Sequence, residues 1–590
     1  MINLRFRLSL VQTILLLVGI GILIYSKTLF NGFVWDDNPH ILENPLVKFF
    51  KVGEIFTRAA VFPNSDSFLD AYYKPLMSFV FALIYKVFHE NPSGYHLFQV
   101  LLHLFNSILL LVLLKRFFKV ALSLFLSLVF LVHPINFESV GYVSALQDTM
   151  FLFFGLIFFK LLMDDDEKRD WSYSRYSLVG IMFFFSILSK ETGFIFALIS
   201  AVYLILFKPV RLRIYFLTIS IFSLFYLLFR FVAVQNRYGY LNESKVMSVS
   251  IYERLISFPS IILYYLKTFF LPKDLFIDQQ WIINKATLAN FYLPLLFLIV
   301  VLVLIYYFVS KLYRENRKDF NLFIFFVAWT VIGIFVHSHL VISLDMTVAD
   351  RWFYFPIVGV LGILGIVIKN VRVEILNRRF RLLFVLVGIL VIVALAARTV
   401  MRSLDWKDNL TLYSHDLKYS QNNYSLENKY GASLLKANDL INGEIHIRKA
   451  LLYNPNYAPA YVNLGYVFEK SGDFEKAKEF YGKSIEINDR SSVLVLNKAL
   501  GAIARIELFQ NNNALKAKEL SEKGLREFGQ DSYLMYILSI SEYSLGNKST
   551  ALDIINKAYK LDSSDEILKV KLGIEKDLPL KLEKSTDSSN

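Results

Sequence analysis

The chain contains no cysteine. That excludes disulfides, thiolate metal sites and cysteine nucleophiles at once, and it suits a chain facing an oxidising compartment. Charge is also scarce: 19% of the 590 residues are Asp, Glu, Lys or Arg, against 55% that are hydrophobic. With a mean hydropathy of +0.46, this composition excludes a disordered chain and argues against a wholly soluble one. The charge that is present is unevenly placed. Residues 401–590 balance 26 basic against 26 acidic side chains, so the first 400 residues carry the whole net charge of +13. A basic chain can serve nucleic acid. Here the excess lies between apolar runs, where membrane topology accounts for it.

Those runs are about 15–22 residues long, the length that crosses a hydrocarbon core. Eleven spans are read, at about 8–26, 95–114, 120–137, 142–163, 177–189, 193–207, 213–231, 289–309, 321–340, 352–368 and 382–398. Two further apolar stretches, about 73–88 and 255–271, carry the internal charges Lys74, Lys86 and Lys267 and read as interfacial or re-entrant helices. The N-terminal run follows Arg5 and Arg7 and lacks a small-residue cleavage site, so it reads as a retained first span. Basic clusters recur at 115–119, 160–175 (with Lys168 and Arg169), 208–213 (with Arg211), 311–318 and 369–381 (with Arg372). Placing these inside satisfies the positive-inside rule and leaves the region after the last span outside.

That region repeats itself at 34 residues, with units starting near 424, 458, 498 and 532. In the best of them, Leu464, Gly465, Phe468, Ala477, Tyr481 and Ser484 occupy tetratricopeptide positions. Small residues recur where paired helices approach closely, and aromatics fill the gaps between pairs. The third unit keeps Ala517 and little else, and six extra residues precede it. The sequence thus divides into a polytopic domain over 1–400, a connector over 401–423, about four repeats over 424–565 and a tail over 566–590. The expected fold is all-α: a membrane helix bundle followed by an α-solenoid.

The outer loops carry more charge than span connectors need. Asp36 and Asp37 stand side by side just outside the first span. A carboxylate there can deprotonate an attacking hydroxyl or hold a metal, and the pair equally fits a solvated turn started by Asp37-Asn38-Pro39. Lys74 and His96 lie at the outer surface, with His103 two turns down the next helix, where an intramembrane histidine faces a cavity or a packing partner. The stretch HPINFESVGYVSALQD brings His133, Glu138 and Asp148, and LSKETG brings Lys190 and Glu191, which can neutralise one another. His337, His339, Asp345, Asp350, Arg351 and Tyr354 follow at the same face. Arg351 can grip phosphate with two parallel bonds. The His-x-His pair is a weak metal signal.

In order, FVWDDNPHILENPLV, YKPLMSFVFALIYKVF with NPSGYHLFQVLLH, HPINFESVGYVSALQD, LSKETG and DRWFYFP resemble the transmembrane and tetratricopeptide-repeat protein O-mannosyltransferases. The resemblance covers about residues 8–565. It implies a C-type glycosyltransferase (GT-C) body and an inverting transfer of a sugar, typically mannose, from a polyprenyl-phosphate-linked donor to a Ser or Thr hydroxyl. It implies catalytic roles for Asp36 and Asp37. It also implies that His133, Glu138, Asp148, Lys190, Glu191, Arg351 and Tyr354 line the donor site, and Lys74 and His96 join them as candidate substrate-binding residues from their place at the outer surface. One departure stands out: Gln147 occupies a position where the family usually has arginine, which removes a charge from the donor-phosphate contact. The compact, Lys- and Phe-rich chain reads as bacterial, which would make the outside a periplasm and the carrier undecaprenyl phosphate.

No cofactor is fixed by the sequence, and a divalent metal stays open. The implied partners are the lipid-linked donor and, through the repeats, a protein acceptor or an envelope-assembly protein. Two rival readings remain: a transferase acting on an envelope lipid or polysaccharide, and a membrane-anchored scaffold whose working part is the repeat array. A scaffold needs one anchor rather than eleven spans, and a transporter should carry its charges near mid-membrane rather than at one face.

Overall fold

The computed structural model describes residues 9–57, 73–164, 173–208, 212–234, 249–341, 343–371, 378–420, 422–487, 493–529, 531–562, 564–578 and 580. Arg5, Arg7, Lys168, Arg169, Arg211, Arg372 and the tail from 581 lie outside these residues. Among the described residues the regular structure is helical, and the only β contact is an isolated bridge between Gln279 and Val348. The chain forms two compact units. One comprises Met1–Asn38, Tyr73–Val232 and Ser244–Leu412, and the other Pro39–Tyr72, Ala233–Glu243 and Tyr413–Asn590.

Among the described residues, seven helices are long and apolar enough to cross a membrane, or up to eight if a bent pair is one span. The remaining expected spans correspond to the shorter apolar helices Ser174–Ser189, Glu191–Phe207 and Pro356–Asn370. Exposure shows what solvent these helices suit. Leu288–Glu315 buries 6% of its most apolar window and Arg379–Asp405 buries none. Leu302, Leu304, Tyr306, Leu383, Leu386 and Leu390 all point outward. A water-facing surface of that kind would be strongly unfavourable, whereas lipid matches it. The stretch read as interfacial at 73–88 is a 14-residue helix, Pro75–Phe88. The one at 255–271 is Ile251–Phe270, which contains Pro259.

Helix ends are set locally. Ser9 and Gln12 form a capping box at the start of Leu10–Tyr25, and the Asn91 side chain caps Pro92–Leu114. Close packing relies on small residues: a Cβ on Gly359 would lie 2.7 Å from the Thr330 nitrogen and 2.8 Å from the Phe326 carbonyl oxygen.

The HPINFESVGYVSALQD stretch makes two corners. Pro134 cannot continue the preceding helix, and Val120–Val132 meets Pro134–Gly141 at a 49° bend. His133 holds this corner. Its Nδ1 accepts the Ile135 N–H at 3.1 Å and its Nε2 bonds the Phe269 carbonyl at 2.8 Å. A 3-10 turn at Val143–Ala145 makes the second corner before Leu146–Met163.

The second unit contains antiparallel helical pairs: Tyr424–Lys436 with Leu440–Tyr453, Ala458–Lys470 with Phe474–Ile487, Val493–Phe509 with Ala514–Phe528, and Ser532–Ser544 with Lys548–Leu561. Asp565–Glu575 follows. Gly431 and Gly465 permit the close approach within their pairs, since a Cβ would meet the Ile447 side chain at 2.7 Å and the Tyr481 ring at 2.5 Å. The third pair begins at Val493 rather than near 498, because the extra residues lengthen its first helix to 17 residues against 13 in the other three.

Candidate functional site

The two corners and the loop after the first span place a set of charged side chains together in the first unit. Asp37 is fully buried. One of its oxygens accepts the Val34 N–H at 3.0 Å, and the other accepts the Ser144 N–H and hydroxyl, each at 2.7 Å. Burial pushes its carboxyl up to about 7, against those three hydrogen bonds, which pull it down. Asp36 is only partly buried and accepts the Tyr142 hydroxyl at 2.9 Å. The dipeptide therefore splits: Asp37 ties the loop to the second corner, and Asp36 presents a carboxylate held from one side.

Trp35 supports this arrangement. Its ring stacks on Tyr142 with centroids 5.4 Å apart, and its N–H donates to Asn409 Oδ1 at 2.9 Å. Its φ of 53° lies in the left-handed region, a strained conformation for a bulky residue that the surrounding contacts hold in place.

Beside this lies a cationic group. Arg351 pairs with Glu138 through its guanidinium, and its backbone N–H donates to the other Glu138 oxygen at 3.2 Å. The guanidinium carbon sits 5.6 Å from the Trp35 ring centroid and 5.9 Å from that of Trp352. Lys190 pairs with buried Asp148 at 2.5 Å, and the second Asp148 oxygen is buried without a hydrogen bond among the described residues. Lys74 is within the field of Lys190, Asp148, Arg351 and Asp345. Burial first, then repulsion from Lys190, pushes its ammonium down to about 7. Three cations thus converge on one region, with two of them anchored by buried carboxylates.

Other expected site residues have different surroundings. Lys190 and Glu191 do not neutralise each other. Lys190 has an extended backbone between two helices and meets Asp148, while half-exposed Glu191 pairs with Arg230. The polar atoms of His133 are taken up at the first corner, as described above. Tyr354 is fully buried, bonding His103 Nδ1 at 2.7 Å and accepting from Asn106 at 3.2 Å. His96 is fully buried beside the backbone of Asn31 and Gly32. His133 and Tyr354 tie separate helices together, while both ring nitrogens of His96 are buried without a hydrogen bond among the described residues. Gln147, next to Asp148, has a buried side-chain oxygen with no hydrogen bond among the described residues.

The histidine pair is accounted for without a metal. His339 Nε2 bonds the Thr347 carbonyl at 3.0 Å and its Nδ1 accepts the Leu344 N–H at 3.3 Å, while His337 stacks on Trp352 at 5.0 Å. Among the described residues, no group of three or more His, Asp or Glu side chains could hold a metal ion.

Comparison with known proteins bears on what this arrangement does. Residues 458–491 match the tetratricopeptide repeat family model. Over 461 residues, 76% of this chain, the sequence is 24% identical to protein O-mannosyl-transferase F38B6.6 of Caenorhabditis elegans. Over 200 residues, 32% of the chain, it is 30% identical to the human protein O-mannosyl-transferase TMTC3. Each of these is a protein to which the chain is similar over part of its length. The match spans 63% of the length of F38B6.6 and 21% of that of TMTC3. Among solved structures, ArnT from Cupriavidus metallidurans bound to undecaprenyl phosphate aligns over 92% of this chain and 79% of its own, at 14% identity and a TM-score of 0.39. A superposition that loose carries no weight for the site.

Tyr142, Ser144 and Trp35 carry no mark of their own in the sequence. Each sits inside a marked motif, FVWDDNP or ESVGYVSALQD. The available signal was the unusual density of aromatic and hydroxyl side chains next to the acidic ones.

Proposed function

We propose that the chain is an integral-membrane glycosyltransferase that moves a sugar, mannose by resemblance, from a polyprenyl-phosphate-linked donor to Ser or Thr hydroxyls of protein acceptors. The observation that carries this reading is the pairing of a partly exposed carboxylate, Asp36, with a neighbouring group of cations, Arg351, Lys190 and Lys74. The relation to named O-mannosyl-transferases supports the chemistry, and the lipid-facing helices suit a donor whose carrier stays in the bilayer.

In this reading the acceptor oxygen attacks the anomeric carbon while Asp36 takes the hydroxyl proton. The bond from the anomeric carbon to the phosphate oxygen breaks, and its electrons leave with the phosphate. Arg351, Lys190 and Lys74 stabilise the charge that develops there. Glu138 and Asp148 keep two of the cations in place, and Asp37 fixes the loop that aims Asp36. A single displacement of this kind inverts the anomeric centre. The reaction takes place on the extracytoplasmic side, where the repeats recruit the acceptor protein.

The test uses membranes containing the full chain, supplied with radiolabelled mannosyl polyprenyl phosphate. The expected outcome is label on Ser or Thr of protein, with the anomeric configuration opposite to that of the donor. Label appearing only in lipid or polysaccharide, or with the donor's configuration retained, would overturn the reading.

A further inference from the structure

Asp36 and Arg351 carry opposite charges and share one neighbourhood, yet they do not pair. Both act on the Tyr142 hydroxyl: Asp36 accepts its hydrogen bond at 2.9 Å, and the Arg351 charge lies within its field. Arg351 gives its guanidinium to Glu138 instead, and among the described residues Asp36 takes part in no ion pair. Opposite unit charges brought together beside a protein surface attract strongly. Pairing here would neutralise the carboxylate and occupy the cation, so each would lose its use to a substrate.

The residue next to Asp36 supplies a barrier. The Trp35 ring stacks on Tyr142 with planes 17° apart, and the Arg351 guanidinium carbon lies 5.6 Å from its centroid. The ring packs against the buried cluster of Met346, Ala349 and Trp352, the segment that carries Arg351. Trp352 adds a second ring to Arg351 at 5.9 Å and is itself stacked on His337. Flat aromatic faces hold a guanidinium without neutralising it. The backbone of Trp35 bears on its role too. At a φ of 53°, glycine or asparagine is the common choice and an indole is costly. Strain of that kind persists where the bulky side chain itself is needed.

We propose that Trp35 is a spacer: its ring keeps the Asp36 carboxylate from collapsing onto Arg351, so that the base stays available to a hydroxyl and the cation to a phosphate. Trp35 is thus a positioning residue that acts through its two charged neighbours. The inference rests on the lipid-phosphate donor reading above for what Arg351 receives. Its signature is specific. Without the ring, Asp36 becomes a competitor of the phosphate, and removing the Asp36 charge gives the cation back.

The test is binding of radiolabelled undecaprenyl phosphate to the full chain in detergent, at equal amounts of protein. Trp35→Ala should bind about tenfold or more weakly than the wild type, as expected when a charge-assisted bond to phosphate is lost. Trp35→Ala/Asp36→Asn should recover the affinity of Asp36→Asn alone, and Trp35→Phe, which keeps a flat ring, should stay near the wild type. Wild-type affinity in Trp35→Ala would overturn the proposal. So would a loss that Asp36→Asn does not restore, because damaged packing or misfolding, unlike an ion pair, does not depend on that carboxylate. Transfer is not part of the readout. The expected pattern in a chain that transfers no sugar would sink the base role of Asp36 and leave the spacer standing, whereas no binding by the wild type would overturn both.

Discussion

Asp36 and Asp37 share a dipeptide but not an environment: Asp37 accepts three hydrogen bonds in a closed pocket, while Asp36 accepts one from Tyr142 and stays partly exposed. The sequence marks both as candidates and cannot separate them, because Ser144, which completes the Asp37 pocket, lies 107 residues further on. The surroundings of Asp37 also set a pH dependence. Burial pushes its folded carboxyl up to about 7 from the ordinary 3.8, so between these values the folded chain binds this proton more readily than the unfolded chain. The stability it contributes is therefore greatest at low pH and is lost as pH rises through about 7. In detergent, the thermal midpoint of the wild type minus that of Asp37→Asn should fall between about pH 5 and pH 8. A difference that rises over this range would contradict the assignment.

At the scale of elements, the site depends on the two corners of HPINFESVGYVSALQD. Pro134 and the chain of small and polar residues announce an interruption, so the break in the apolar run was legible in the sequence. The contacts that fix it were not. His133 finds a carbonyl on Phe269, Glu138 finds Arg351 after 213 residues, and Asp148 finds Lys190 after 42. Lys190 and Glu191 looked self-neutralising because adjacent charges are the ones a sequence shows. Tertiary packing instead sent them to Asp148 and Arg230. Removing one member of a buried ion pair strands the other charge. Glu138→Ala should therefore cost about 3–5 kcal/mol, read as a clear drop in the thermal midpoint in detergent. An unchanged midpoint would mean that Glu138 does not hold the Arg351 turn.

At the scale of the whole molecule, the repeats were the most legible part, because their signal is local and periodic: small residues at fixed places, confirmed by Gly465 against Tyr481 and by Ala477 in the core. The apolar runs were equally plain as membrane helices. Their exact number was less so, since Ser174–Ser189, Glu191–Phe207 and Pro356–Asn370 are short and gain burial from neighbours. The absence of cysteine makes topology directly measurable. A membrane-impermeant maleimide applied from outside intact cells, opened to the periplasm if the host is bacterial, should label Asn456→Cys in the repeats. It should leave Asn316→Cys untouched until the membrane is permeabilised. The reverse pattern would invert the orientation and place the charged group on the cytoplasmic face.

The central claim is that Asp36 is the base in a sugar transfer, and the most direct measurement compares mannosyl transfer to protein by the wild type and by Asp36→Asn in membranes at matched abundance. The account predicts a loss of about 10²–10⁴-fold in rate for Asp36→Asn, with donor affinity retained through Arg351, Lys190 and Lys74. Transfer by Asp36→Asn at the wild-type rate would contradict it.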